Sequence, residues 1–255
     1  MAWNPDQYLK FAQPRLRPAV DLLARVALTA PASVHDLGCG AGNVTAMLAE
    51  RWPEASITGV DDSAEMLAQA ARARTDVSWI RQSLADWEPS RPTDLIFSNA
   101  ALHWLPRHDT LFPKLLGHLA AGGVLAVQMP RNFSAPSHTL IAETSRHGSW
   151  RNRLEHLLHP APVAEPGDYY AMLAPLARNI DIWETDYLQI LQGTDPVKEW
   201  TKGTWLKQFL DVLDEPERAE FEADYARRLR IAYPPQADGT TLFPFRRLFI
   251  LAQRA

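Results

Sequence analysis

Asp36-Leu37-Gly38-Cys39-Gly40-Ala41-Gly42-Asn43 is the stretch of this 255-residue chain best suited to hold a ligand. Three glycines alternate where an apolar run ending at Leu37 gives way to a helical pattern over Val44 to Arg51. Glycine lets a backbone take positive φ and come close to a bound group. The helix that follows offers unpaired N–H groups. Asp61 closes the next apolar run, Ser56 to Val60, where a carboxylate can accept hydrogen bonds from ribose hydroxyls. A glycine turn alone reads equally well as a tight turn. The strand before it, the helix after it and the acid at the next strand end together favour a nucleotide-type loop. A dinucleotide fingerprint places Gly or Ala at the sixth position of G-x-G-x-x-G, and Asn43 stands there, which disfavours a nicotinamide dehydrogenase. Cys39 reads as a small buried filler rather than a nucleophile, since no His partner is placed by sequence. His156 and His159 have metal-compatible spacing, but a third ligand is not evident and no metal is expected.

The elements that must position this loop follow from periodicity. Residues 18–28 read as an amphipathic helix with Pro18 in its first turn. Ser63 caps a helix from Ala64 to about Arg74. Further strands are expected at Val77 to Ile80, Leu95 to Ser98 and Val124 to Gln128, with a helix over Leu111 to Leu119 stopped by Gly122-Gly123. This β-α alternation indicates a doubly wound parallel sheet, and runs apolar on both faces suit its buried strands. A single domain over 1–255 is expected, with core sheet 30–133 and added strands near 180–191 and 246–253. Segments 134–178 and 196–235, with the N-terminal segment 1–29, are expected to form a helical cap over the ligand crevice.

Composition narrows the partners. The net charge of −4 and scattered basic residues argue against a nucleic-acid surface. No apolar run approaches the ~20 residues a membrane span needs. The N-terminal residues show no signal-peptide pattern, and the lone cysteine fits a reducing cytoplasm, so a cytoplasmic location is expected.

The G-x-G-x-G spacing, opened by the acidic Asp36, resembles the first motif of class I S-adenosylmethionine-dependent methyltransferases. Gln82-Ser83-Leu84-Ala85-Asp86-Trp87 and Asp94 through Trp104 resemble later motifs of the same family. The resemblance implies a seven-stranded, mostly parallel Rossmann-like sheet and S-adenosyl-L-methionine as methyl donor, with S-adenosyl-L-homocysteine as product. It assigns Asp36 to the methionine end, Asp61 to the ribose, Asp86 to the adenine amino group and Trp87 to the adenine ring. Tyr8, Arg17, Gly38, Gly40, Gly42, Asp62, Met66 and Asn99 complete the implied donor site.

Trp3-Asn4-Pro5-x-x-Tyr8-Leu9, Arg15-x-Arg17-Pro18-Ala19-Val20, Leu102-x-Trp104-Leu105-Pro106, Gly123 to Pro130 with Asn132, and Arg247 to Ile250 resemble the trans-aconitate methyltransferase branch of that family. The branch implies esterification of a carboxylate on a small polycarboxylate. Such an acceptor is already ionised at neutral pH, so no general base and no nucleophilic side chain are expected. The protein has to align the reacting atoms and exclude water. Arg fits carboxylates best through its bidentate fork, which makes Arg131, Arg246 and Arg247 the substrate candidates, with Asn132 and Tyr233. His103, Trp104 and Trp205 are weaker ones. Two other readings stay open. One is a small-molecule C- or O-methyltransferase using His103 as base. The other is a non-enzymatic S-adenosylmethionine binder.

Overall fold

The computed structural model describes the backbone of residues 12–255 and the side chains from residue 16. Tyr8, a sequence candidate, lies outside the described residues. The elements are α1 (Ala12–Arg25), β1 (Ser33–Leu37), α2 (Asn43–Arg51), β2 (Ser56–Asp61), α3 (Ala64–Ala73), β3 (Ser78–Arg81), β4 (Thr93–Asn99), α4 (His108–Gly117), β5 (Leu119–Pro130), α5 (Pro136–Arg146), α6 (Arg151–Leu154), α7 (Pro166–Leu173), β6 (Ala177–Leu191), α8 (Pro196–Lys202), α9 (Lys207–Leu210), α10 (Glu217–Ala232) and β7 (Thr241–Arg254). Short 3-10 turns cover Leu102–Trp104 and Glu155–Leu157.

The strands form one seven-stranded sheet in the order β3-β2-β1-β4-β5-β7-β6. The β1/β2, β2/β3, β1/β4 and β4/β5 pairs are parallel, and β5/β7 is antiparallel. The chain runs outward from β1 through β2 to β3, then returns to the other side of β1 with β4. The direction of winding therefore switches between β1 and β4, where ligands of doubly wound sheets bind beyond the carboxyl ends. β4 and β5 are buried on both faces (Leu95 to Ser98, Val124 to Pro130), as the apolar runs foretold.

Contacts divide the described chain into two compact units. One comprises 16–130, 162–185 and 247–255, and the other 131–161 and 186–246. The first holds the parallel strands. Within it, the Arg51 guanidinium donates to the carbonyls of Leu23 and Val26, satisfying acceptors at the end of α1. Trp183 stacks on Phe249 at 4.7 Å, with Arg25 over its other side. The second unit has its own core, in which Trp150, Trp200, Phe209, Phe221, Tyr225, Phe243 and Phe245 pack with Ile141, Leu154 and Leu229. Among the described residues, no helix is long and apolar enough to cross a membrane.

Three local expectations are corrected. α1 starts at Ala12, so Pro18 lies inside the helix rather than in its first turn. α4 runs His108–Gly117, and Gly122-Gly123 belong to the start of β5 rather than to a helix cap. An added Cβ on Gly123 would lie 3.0 Å from the Thr93 and Ala120 carbonyl oxygens, so that glycine serves close strand approach. The last strand is longer than the expected 246–253, because Thr241 to Phe245 alternate buried and less buried positions.

Candidate active site

The glycine turn leaves β1 at Leu37, and the Gly38 and Cys39 N–H groups both donate to the Val60 carbonyl, at 2.8 and 3.1 Å. That ties the turn to β2. Gly38 and Gly40 both have positive φ, 77° and 53°, yet their surroundings differ. A Cβ on Gly38 would sit 2.1 Å from the Ala101 Cβ, so the turn rests against the loop after β4. Among the described residues, a Cβ on Gly40 would meet nothing within 4 Å. Of the two, and among those residues, Gly40 is the one whose backbone is open to a ligand. Gly42 is needed for a different reason, since a Cβ there would lie 2.7 Å from the Trp79 ring.

Asp61 stands beside this open turn. Its Oδ2 accepts from the Gly40 N–H at 2.9 Å and its Oδ1 from the Ser63 N–H at 2.9 Å. The two bonds fix the carboxylate while leaving lone pairs for further donors. Ser63 caps α3, its Oγ accepting from the Met66 N–H, which puts Met66 in the first turn of that helix. Asp62 is exposed next to Asp61, and its carbonyl accepts from Arg81 Nε.

Asp36 is 1 % exposed. The Thr45 hydroxyl donates to its Oδ2 at 2.6 Å. Burial pushes its carboxyl up to about 7, against the pull of the Thr45 bond and with a further push from the Asp61 charge. Burial and the same two carboxylates push the Cys39 thiol far above its ordinary value. That keeps it protonated and unreactive.

The neighbouring crossover supplies the other wall. The Ser98 hydroxyl donates to the Leu37 carbonyl at 2.8 Å, joining β4 to β1. Asn99 ends β4. Ala100 then takes φ 54°, a left-handed conformation that is strained for a residue with a Cβ. This kink turns the chain so that Ala101 meets Gly38. His103 is buried, and its ring lies 4.7 Å from that of Trp104, which is 48 % exposed. Arg17 lies on the exposed side of α1 and Asp86 on the exposed turn after β3.

Trp87 departs from the adenine-stacking expectation. It is 2 % exposed, with His35 and His118 at ring distances of 5.2 and 5.8 Å. The ring is thus buried beside His35 of β1 and His118 rather than exposed. Of the arginines, Arg246 is engaged by Asp186 through both Nε and Nη2, at 2.9 and 3.0 Å. Its fork is therefore already filled by a carboxylate, contrary to the role the sequence suggested. Arg247 is buried in the middle of β7, in register with Pro130 at the end of β5.

In the second unit, the Arg131 N–H donates to the Arg246 carbonyl. Asn132 is buried with Nδ2 3.4 Å from His138 Nδ1. Burial lowers His138 to about 3, so its imidazole is neutral. The Tyr233 hydroxyl accepts from the Ser137 N–H at 3.1 Å, which makes it a brace for α5. Phe133, His138 and Trp205 cluster at ring distances of 5.1 to 6.2 Å beside a cavity of about 290 Å³. Among the described residues, no group of three His, Cys, Asp or Glu could hold a metal ion.

Sequence reasoning passed over Gln128. A signal was available, because Gln128 is the one polar residue in the run Val124 to Pro130, and a strand buried on both faces has little reason to carry an amide.

Known proteins place these features in context. Residues 34–123 match the model of a methyltransferase domain. The fold is shared with the YcgJ protein of Bacillus subtilis, at TM-score 0.58 and 17% identity over 93% of this chain and 98% of that one. It is shared too with Haemonchus contortus phosphoethanolamine N-methyltransferase 2 in complex with S-adenosyl-L-methionine, at TM-score 0.54 and 16% identity over 93% of this chain and 52% of that one. Sequence similarity is much closer to trans-aconitate 2-methyltransferase of Azoarcus sp. (strain BH72), 50% identical over 99% of both chains. The same enzyme of Rhodopseudomonas palustris (strain BisB18) is 45% identical over 98% of both. With identity at that level running from end to end, and with its glycine turn at the switch point of a seven-stranded sheet, this chain belongs to the trans-aconitate 2-methyltransferase family.

Proposed function

We propose that this methyltransferase esterifies a carboxylate of trans-aconitate with the methyl group of S-adenosyl-L-methionine. The observation that carries the reading is the open backbone at Gly40 beside the fixed Asp61 carboxylate, in a chain half identical to a named trans-aconitate 2-methyltransferase.

The residues present fit the donor. Gly40 offers open space at its Cβ position among the described residues. Asp61 is held by two backbone N–H groups and keeps acceptor capacity for ribose hydroxyls. Asp36 is a buried acid whose carboxylate form calls for a cation nearby, and the donor carries two positive groups, ammonium and sulfonium. When bound, the donor supplies a sulfonium methyl whose transfer to a carboxylate oxygen leaves a neutral thioether and moves no proton.

The chain's own task is therefore binding and alignment. Gly38, Gly40, Gly42, Asp61, Asp62, Met66, Asp86 and Asn99 serve the donor, with Asp36 set behind them and Arg17 at the methionine carboxylate. In the first unit, Arg247 anchors a non-reacting carboxylate through charge-assisted hydrogen bonds. No residue needs to take a proton, since the acceptor is ionised. Cys39 is too basic a thiol to compete as nucleophile.

The test is a methyl-transfer assay with isotopically labelled S-adenosylmethionine against trans-aconitate, citrate, isocitrate, cis-aconitate and a panel of phenols. Ester formation on trans-aconitate is expected. Turnover of a phenol or carbon acid in its place would replace this reading with one in which His103 acts as base.

A further inference from the structure

Gln128 sits where a polar residue is costly. β5 is buried throughout from Val124 to Pro130, and Gln128 is 1 % exposed. Among the described residues, neither its Nε2 nor its Oε1 has a hydrogen-bond partner. An unmet amide in a buried strand is destabilising, and a methionine or leucine of similar size would pack there without that cost. Natural proteins keep few such groups, and those kept call for an explanation.

Its place in the sheet supplies one. The β4/β5 register pairs Gln128 with Asn99, so both side chains leave the sheet on the same face. Asn99 Oδ1 is likewise buried without a partner among the described residues. The Ala100 N–H donates to the Gln128 carbonyl at 2.9 Å, so strand pairing continues into the strained turn. Ala101 then closes against Gly38. One covalent and packing path thus joins Gln128 to the glycine turn through Asn99, Ala100 and Ala101. It lies at the carboxyl ends of β4 and β5, beside the switch point.

We propose that Gln128 is an acceptor-binding residue, whose carboxamide N–H donates to an oxygen of the acceptor's carboxylate. The inference rests on the polycarboxylate reading above. An amide suits this task better than Arg or Lys would. A cation would stabilise the carboxylate's charge and blunt it as a nucleophile. A neutral N–H can hold one oxygen and leave its partner free to react. Asn99, one strand closer to β1, is left to the donor's side.

The test uses the full chain with Gln128→Met, and Gln128→Leu as a second variant. Calorimetry with S-adenosylhomocysteine, calorimetry with trans-aconitate on the S-adenosylhomocysteine-loaded protein, thermal melting and steady-state kinetics are read together. Expected are unchanged S-adenosylhomocysteine affinity, a melting point no lower than the parent's, and a fall of about 10- to 100-fold in both trans-aconitate affinity and kcat/KM. Parent-like trans-aconitate binding and kcat/KM in either folded variant would overturn the assignment while leaving the enzyme's acceptor intact. A lowered melting point or weakened S-adenosylhomocysteine binding would overturn it in favour of a structural or donor role. A parent that neither binds nor methylates trans-aconitate would overturn the polycarboxylate reading, and this one with it.

Discussion

Alanine at Gly38 and at Gly40 should separate packing from ligand space, because the two glycines share a backbone conformation and differ in what faces them. Left-handed backbone costs an L-residue about 1–2 kcal/mol, so both variants carry that term. At Gly38 the new methyl would also lie 2.1 Å from the Ala101 Cβ, and the loop after β4 would have to move. Overpacking of this kind adds about 1–3 kcal/mol. Gly38→Ala should therefore lose about 2–5 kcal/mol in urea unfolding of the ligand-free protein, and Gly40→Ala about 1–2 kcal/mol. Affinity for S-adenosylhomocysteine should not follow stability. Gly40→Ala places its methyl in the open space reserved for the donor and should bind at least about 10-fold more weakly by calorimetry, a loss near 1.4 kcal/mol. Parent-like binding by Gly40→Ala would show that the open face is not the donor's. Equal stability of the two variants would refute the packing argument.

Three further outcomes follow from buried or engaged groups. Asp36 has a folded pKa of about 7 against an ordinary 3.8, so the stability it contributes is present below about pH 4 and lost as pH rises through about 7. At about 1.4 kcal/mol for each tenfold change in proton binding, raising the pH from 5 to 8 should remove roughly 3 kcal/mol from the ligand-free parent; Asp36→Asn should flatten that part of the urea-unfolding profile, and an unchanged profile would contradict the burial argument. Trp87→Ala should cost about 3–5 kcal/mol on the same assay, because the ring is packed between two histidines rather than offered to a ligand; a stable variant with weakened S-adenosylhomocysteine binding would restore its adenine role. Arg246→Ala removes an exposed pair with Asp186 and should change stability by less than about 1 kcal/mol, with the KM for trans-aconitate within about twofold of the parent; a large rise in KM would return Arg246 to the substrate site.

Periodicity was enough for the parallel part of the fold. β1, β2, β4 and the helix after Ser63 emerge within a residue or two of expectation, because their signals are local: apolar runs, a serine cap, an acid at a strand end. The residues from 134 to 235 were harder. Two of their helices, α6 and α9, span only four residues each, and many of their apolar side chains serve a separate core whose contacts are distant in sequence. The donor loop was readable because its chemistry is written in consecutive residues. The acceptor side was not. Whether an arginine is free depends on a partner 60 residues away, as with Arg246 and Asp186. Whether a tryptophan is a ligand platform or a core residue depends on what the sheet stacks against it, as with Trp87. Gln128 stands out in the sequence as a lone polar residue in an apolar run, but its pairing with Asn99 depends on the β4/β5 register.

The central claim is that the pairing of Gly40 and Asp61 holds a methyl donor for an already ionised carboxylate acceptor. The measurement that tests it most directly is mass spectrometry of trans-aconitate after incubation with the enzyme and S-adenosylmethionine, run alongside Asp61→Ala. The account expects a single methyl ester with the parent and at least about 10-fold less with the variant, recovered in part at high donor concentration. No ester from the parent, or an Asp61→Ala enzyme that forms it at the parent's rate with limiting donor, would contradict the account.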